Sequence, residues 1–177
     1  VINNLIPNKN CTSNIAHTFA YDLYTKNRLE GVITQNVDGL YFKTPLPKDK
    51  ILEIHGNASE AYCLKCKKTI SIFNSIKSKK GNRLCPVCHW SLEPGIGLYG
   101  DFYSDKAIKQ AMIWRENADL LIVMGTTLSL LSDFVINFHG KICLINNEDI
   151  LLESYSGNRL WDYKYIDNIS DVLKNTV

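Results

Sequence analysis

Four of the six cysteines stand as two Cys-x-x-Cys pairs, Cys63 with Cys66 and Cys85 with Cys88, with eighteen residues between them. Two such knuckles at this spacing place four thiolates tetrahedrally around one ion, which reads as zinc. Four sulfur ligands leave no position open for water, so the ion is expected to be structural rather than catalytic. Its binding free energy orders a segment too small to hold itself together. His89 follows the last cysteine and could replace a ligand; a surface histidine beside the knuckle is the preferred reading. Cys11 and Cys143 are left over. No charged stretch followed by an apolar one opens the chain, so the pairs read as metal ligands and not disulfides. The expected compartment is reducing and intracellular, cytoplasmic or nuclear.

The 177 residues are 45% apolar and 21% charged, which suits a globular domain with a small insert and argues against disorder. Twenty basic against eighteen acidic side chains give a net charge of +2. That balance argues against nucleic acid as a direct ligand and against an anionic membrane surface. The longest apolar run, Leu120 to Met124, is far too short to span a bilayer.

Along the chain, residues 14–28 carry Ile15, Phe19 and Leu23, with Ala16 and Ala20, on one helical face. Asn14 or Ser13 can cap this helix and Gly31 can stop it. Residues 31–34 and 50–54 read as short strands. Residues 104–117 read as a helix with Ala107, Ile108, Ala111 and Met112 at helical spacing. The stretches 119–124 and 141–145 carry continuous apolar runs ending at Gly125 and Asn146; 163–166 reads as a last short strand and 170–174 as a last helical turn. Helices alternating with apolar runs that end in Gly or polar residues predict an α/β fold with a doubly wound parallel sheet. Three parts are expected: a Rossmann-like segment over residues 1–59, a zinc-binding module over 60–92, and a second Rossmann-like segment over 93–177. The module's basic residues (Lys65, Lys67, Lys68, Lys77, Lys79, Lys80, Arg83) read first as a solvated face. Gly95, Gly97 and Gly100 match a dinucleotide-binding glycine pattern literally. They follow a zinc knuckle and Pro94, a poor strand, so they are read instead as places where backbone approaches backbone.

In such sheets ligands bind beyond the carboxyl ends of the strands. Four polar stretches follow predicted strands: 34–40 (Thr-Gln-Asn-Val-Asp-Gly-Leu), 53–56 (Glu-Ile-His-Gly), 125–128 (Gly-Thr-Thr-Leu) and 145–148 (Ile-Asn-Asn-Glu). Each is weak alone. Their order around the two knuckles, with Tyr99-Gly100-Asp101 between, resembles the sirtuin family over about residues 14–150. The resemblance implies an NAD-dependent protein-lysine deacylase, which transfers an acyl group from lysine to ADP-ribose and releases nicotinamide. It implies His55 as general base, with Asn36 and Asp38 in the catalytic pocket. Gln35, Asn36, Asp38, Gly125, Thr126, Thr127, Asn146 and Glu148 would contact NAD. Gly97, Leu98, Tyr99 and Gly100 would pair with an extended acylated-lysine peptide. Without these neighbours His55 would read as a core histidine, and Asn36 and Asp38 as turn formers. His17 and His139 lack such context.

The family's opening Gly-Ala-Gly-x-Ser turn, and the loop with an Asp-Phe-Arg stretch, are not found in these 177 residues, so the sheet is expected to be incomplete. Gly97 stands where the family usually has a β-branched residue, and 129–133 lacks the usual proline. Two further readings therefore stay open: a catalytically silent, zinc-stabilised peptide-binding module, and an ADP-ribosyltransferase. No oligomeric state follows. Because the Gly-rich turn is the main phosphate anchor in such folds, calorimetry of this chain with NAD should return weak binding. Nanomolar affinity would contradict that expectation.

Overall fold

The computed structural model describes residues 10–97, 105–128, 131–151 and 160–175. These fall into two compact units, one within residues 1–13 and 31–108, the other within 14–30 and 109–177. Leu98, Tyr99, Gly100 and Asp101 lie outside the described residues.

In the second unit, helix α1 (Ile15–Thr25) starts where Asn14 caps it. The Asn14 carboxamide oxygen accepts from the backbone N–H of Ala16 and His17, and the His17 ring nitrogen accepts from Asn14 N–H in return. His17 thus fills the part that Glu or Gln usually takes in a capping box, and its burial is structural. The helix ends earlier than Gly31 would have ended it. Asn27 takes the left-handed conformation (φ 54°), and Arg28 N–H reaches back to the Leu23 carbonyl.

Strands β8 (Leu120–Met124), β9 (Lys141–Asn146) and β10 (Tyr163–Ile166) form a parallel sheet in the order β10-β9-β8. Period-two alternation explains their continuous apolar runs. Val123, Ile142 and Leu144 face one cluster with Leu128, Val135 and Phe138. Cys143, Ile145, Ile122 and Met124 face the other, against Ile15, Ala16 and Phe19 of α1 and Ile169, Val172 and Leu173 of the last helix, Ile169–Lys174. A strand buried on both faces cannot alternate with polar residues, as parallel sheets require. At the edge, β10 exposes all four residues.

The helix Asp105–Asn117 forms as the spacing predicts, but its buried face is different. Ala111, Trp114 and Arg115 are buried, while Ile108 and Met112 are exposed. The Arg115 guanidinium lies over the Phe134 and Phe138 rings, and its Nε donates to the Phe134 carbonyl at 2.9 Å. Cation–π contact and this bond offset part of the cost of burying the charge.

In the first unit, β1 (Val32–Thr34) and β2 (Ile51–Glu53) pair in parallel. β3 (Gly56–Cys63) then lies between β4 (Thr69–Ser71) and β7 (Leu92–Ile96), both antiparallel to it. A short hairpin pairs β5 (Ile76–Lys77) with β6 (Arg83–Leu84). Pro94, expected to break a strand, lies inside β7; it is tolerated because β7 is an edge and Pro94 needs no donor on its outer side. The glycines do admit close backbone approach: a Cβ on Gly95 would sit 2.7 Å from the Glu60 carbonyl oxygen.

Leu144 is fully buried at the centre of the second unit. Leu144→Ala should destabilise the protein by about 3 kcal/mol in urea denaturation; a loss under about 1 kcal/mol would contradict this packing.

Candidate functional site

The β1/β2 register aligns Thr34 with Glu53, so the chain leaves both strands at the same carboxyl end. The loops that follow are stitched together. Ile54 N–H donates to the Thr34 carbonyl at 3.1 Å, and Ala58 N–H to the Val37 carbonyl at 2.8 Å. Thr34 Oγ1 accepts from Asn36 N–H, and Asp38 Oδ1 accepts from Leu40 N–H at 2.9 Å, closing an Asx turn. Gln35, Asp38 and His55 are half-buried at this end, and Asn36 is exposed.

The His55-Gly56 pair has a steric reason. Gly56 has φ +80°, and a Cβ there would lie 2.1 Å from the Gly95 carbonyl oxygen. Only glycine lets β3 start this close to β7. One residue on, Gly97 N–H donates to the His55 carbonyl at 2.9 Å. Backbone hydrogen bonds therefore link the Asn36–Asp38 turn, the His55 segment and Gly97 within one unit.

Glu53 has a place in this network that its sequence position does not announce. Asn57 Nδ2 donates to its Oε2 at 2.7 Å, and Gly39 packs on the same amide. Burial pushes the Glu53 carboxyl up to about 7, with hydrogen bonding opposing and the Asp38 and Glu60 charges adding. Burial, with the Asp38 charge, also raises the Tyr41 phenol.

In the second unit, Met124 is in register with Ile145, so the turns holding Gly125, Thr126 and Thr127 and holding Asn146 and Glu148 leave neighbouring strand ends. Gly125 takes φ +59°, and its N–H donates to the Ile145 carbonyl at 3.2 Å. That N–H is committed to the sheet. Thr126 Oγ1 accepts from Leu128 N–H, and Asn146 Nδ2 donates to the Glu148 carbonyl at 2.9 Å. The Asn146 amide thus braces the loop that carries Glu148.

The four knuckle cysteines converge. Their sulfurs all lie within 4.8 Å of one another. Cys63 Sγ stands 3.4 Å from Cys88 Sγ, and Cys66 Sγ 3.7 Å from Cys85 Sγ. A tetrahedral zinc with sulfur at about 2.3 Å has S–S edges of about 3.8 Å, so the set fits that ion. The two knuckles repeat one geometry. Lys67 N–H bonds the Cys63 carbonyl and His89 N–H the Cys85 carbonyl, with left-handed φ at Lys67 (60°) and His89 (58°). His89 is exposed, as a bystander would be. Backbone N–H groups aimed at sulfur stabilise thiolate: the Cys66 amide draws the Cys63 thiol down to about 6. Burial pushes Cys66 up to about 12. The sulfurs sit in an apolar cluster with Ala61, Ile72 and Leu92. The six lysines of the basic cluster are exposed, Lys65 lying over the Trp90 ring at 5.3 Å. Because thiolates must shed protons to ligate, metal content measured by atomic absorption should fall on acidification. Cys85→Ala should abolish retention at neutral pH; retention of a full equivalent by that variant would contradict a four-sulfur site.

The comparisons with known proteins agree with this arrangement. The Sir2 family profile matches residues 1–132. A Thermotoga maritima NAD-dependent protein deacetylase is 30% identical over 149 residues, 80% of this chain and 60% of that protein. A Staphylococcus epidermidis NAD-dependent protein deacetylase is 33% identical over 138 residues, 77% of this chain and 54% of its own length. The chain thus spans little more than half the length of these relatives. A solved Sir2 complex with a p53 peptide and NAD+ superposes with a TM-score of 0.81 at 25% identity, covering 98% of this chain and 71% of that one. Sir2Tm bound to a propionylated peptide gives 0.79 at 26% identity, covering 94% and 70%. With parallel strands ending in the matched loops, a four-cysteine cluster and a family match over most of its length, the chain belongs to the Sir2 family.

Proposed function

We propose that the full-length protein is an NAD-dependent protein-lysine deacylase, transferring an acyl group from lysine to ADP-ribose with release of nicotinamide. One observation carries this reading: the hydrogen bonds from Ile54 to Thr34 and from Ala58 to Val37 hold the Asn36–Asp38 turn beside the His55 segment. Relatives named as NAD-dependent protein deacetylases, and Sir2 structures holding NAD+ with a p53 peptide or holding a propionylated peptide, support it.

NAD, when bound, supplies a ribose carbon that nicotinamide can leave and a hydroxyl that can attack the acyl group. His55 would accept the proton of that hydroxyl at a ring nitrogen, a task suited to imidazole because its ordinary titration range spans working pH. Asn36 and Asp38 would hold the carboxamide and ribose by directional hydrogen bonds, with Gln35 towards the ribose. Gly125, Thr126 and Thr127 would meet the cofactor through backbone and hydroxyls, and Asn146 and Glu148 would meet the adenine-side ribose. Gly97, Leu98, Tyr99 and Gly100 would add the acylated peptide as a strand. Zinc held by Cys63, Cys66, Cys85 and Cys88 would stay structural, in a 60–92 module between Rossmann-like segments 1–59 and 93–177. None of the six cysteines is in a disulfide, which suits a reducing cytoplasmic or nuclear location. Among the described residues no helix is long and apolar enough to cross a membrane.

His55→Ala in the zinc-loaded, full-length protein should cut nicotinamide release from NAD, in the presence of an acetylated peptide, by at least about a hundredfold. Turnover that survives this substitution would overturn the assignment.

A further inference from the structure

Glu53 holds a side-chain amide whose orientation is already fixed. Asn57 Oδ1 accepts from Ser59 N–H at 2.8 Å, which fixes the carboxamide so that Nδ2 faces Glu53 Oε2. Gly39 packs against the same amide: with φ +70°, a Cβ there would sit 2.9 Å from Asn57 Nδ2. Three segments meet at one side chain: the end of β2, the start of β3, and the turn carrying Asp38.

The charged groups whose fields reach Glu53 are Asp38 on the turn and Glu60 on β3, both acidic. Its hydrogen-bond partner Asn57 is neutral, and among the described residues it makes no salt bridge. A half-buried carboxylate beside like charges is costly, so stability alone does not account for an acidic group here. An ionised carboxylate is the stronger acceptor for the Asn57 amide.

We propose that Glu53 is a positioning residue: its carboxylate fixes the Asn57 amide on which the Asp38–Gly39 turn packs, and so sets Asp38 in place relative to the His55 segment. The inference rests on the deacylase reading for its functional consequence. The tether itself is a property of the first unit alone.

Protonation weakens the tether, because a neutral carboxyl accepts the Asn57 N–H less strongly than a carboxylate does. The sign for stability is opposite. The folded carboxyl titrates above its ordinary value, so between the usual carboxylate range and about 7 the native state holds more protons than the unfolded one. Stability from this group is therefore present at low pH and lost as pH rises to about 7. Ordering of the turn increases over the same interval. A residue that merely stabilised the fold would move both readouts in one direction.

The test follows the Gly39 amide of the zinc-loaded chain by ¹H–¹⁵N NMR from about pH 5 to about pH 9. Wild type should show an inflection near neutrality that Glu53→Gln abolishes. The variant should also exchange its Gly39 amide hydrogen about fivefold faster at alkaline pH, while its urea midpoint there rises. Adding Asn57→Asp to Glu53→Gln should restore slow exchange, because the introduced amide donates to the introduced carboxylate and re-forms the bond between the two side chains. In the full-length enzyme, kcat for nicotinamide release should fall with Glu53→Gln and recover in the double variant, with KM for peptide unchanged. Identical Gly39 titration in wild type and Glu53→Gln, or no recovery in the double variant, would overturn the proposal. A wild type that releases no nicotinamide while its Gly39 amide still answers to Glu53 would refute the deacylase reading and leave the tether standing.

Discussion

β3 starts at Gly56, directly after His55, and ends at Cys63, the first knuckle sulfur. Its two ends are held by different forces. At Gly56 the backbones of β3 and β7 approach so closely that no side chain fits between them. At Cys63 a sulfur joins three others in an apolar cluster. One antiparallel strand therefore runs from a metal site to the segment that carries His55. A small module whose buried non-cysteine core is Ala61, Ile72 and Leu92, with Ile70 and Phe73 partly buried against it, has little apolar area to bury. Metal binding is a direct way to stabilise it. A metal held there would give the four-cysteine module a mechanical role, since four sulfur ligands leave an ion no catalytic position.

The parallel strands do the complementary work. β1 and β2 in the first unit, and β8 and β9 in the second, end in polar turns on neighbouring strand ends. That is where an open α/β sheet binds ligands. Much of the hydrogen bonding in these turns is internal. Asp38 caps its own turn, Asn146 braces the loop of Glu148, and Gly125 N–H serves the sheet. The residues proposed to meet NAD are thus pre-ordered by their own loops, which lowers the entropy lost on binding.

Local signals were legible in the sequence, and partner-dependent ones were not. Cysteine spacing carries the metal geometry within a few residues, and the apolar runs of β8 and β9 announce strands, β9 buried through its centre and β8 at Val123. Asn14 was a visible cap. Its reciprocal partner, His17, was legible only as a histidine without catalytic context. The helix over Asp105–Asn117 formed, yet Trp114 and Arg115 displaced Ile108 and Met112 from its buried face. The cause is the pair of rings, Phe134 and Phe138, that receives the guanidinium. Pro94 argued against a strand only because an edge position is invisible in one dimension. Glu53 stood inside a recognised stretch without a role, since that role needs Asn57 and Gly39 folded against it.

The central proposal is chemical: the full-length protein would move an acyl group from lysine onto ADP-ribose. Mass spectrometry of the products formed by the full-length protein from NAD and an acetylated-lysine peptide tests it most directly. The account predicts a peptide lighter by its acetyl group, nicotinamide, and ADP-ribose carrying that acetyl group in equal amount. ADP-ribose attached to an unchanged acetylated peptide, or a peptide that keeps its acetyl group with no nicotinamide formed, would contradict it.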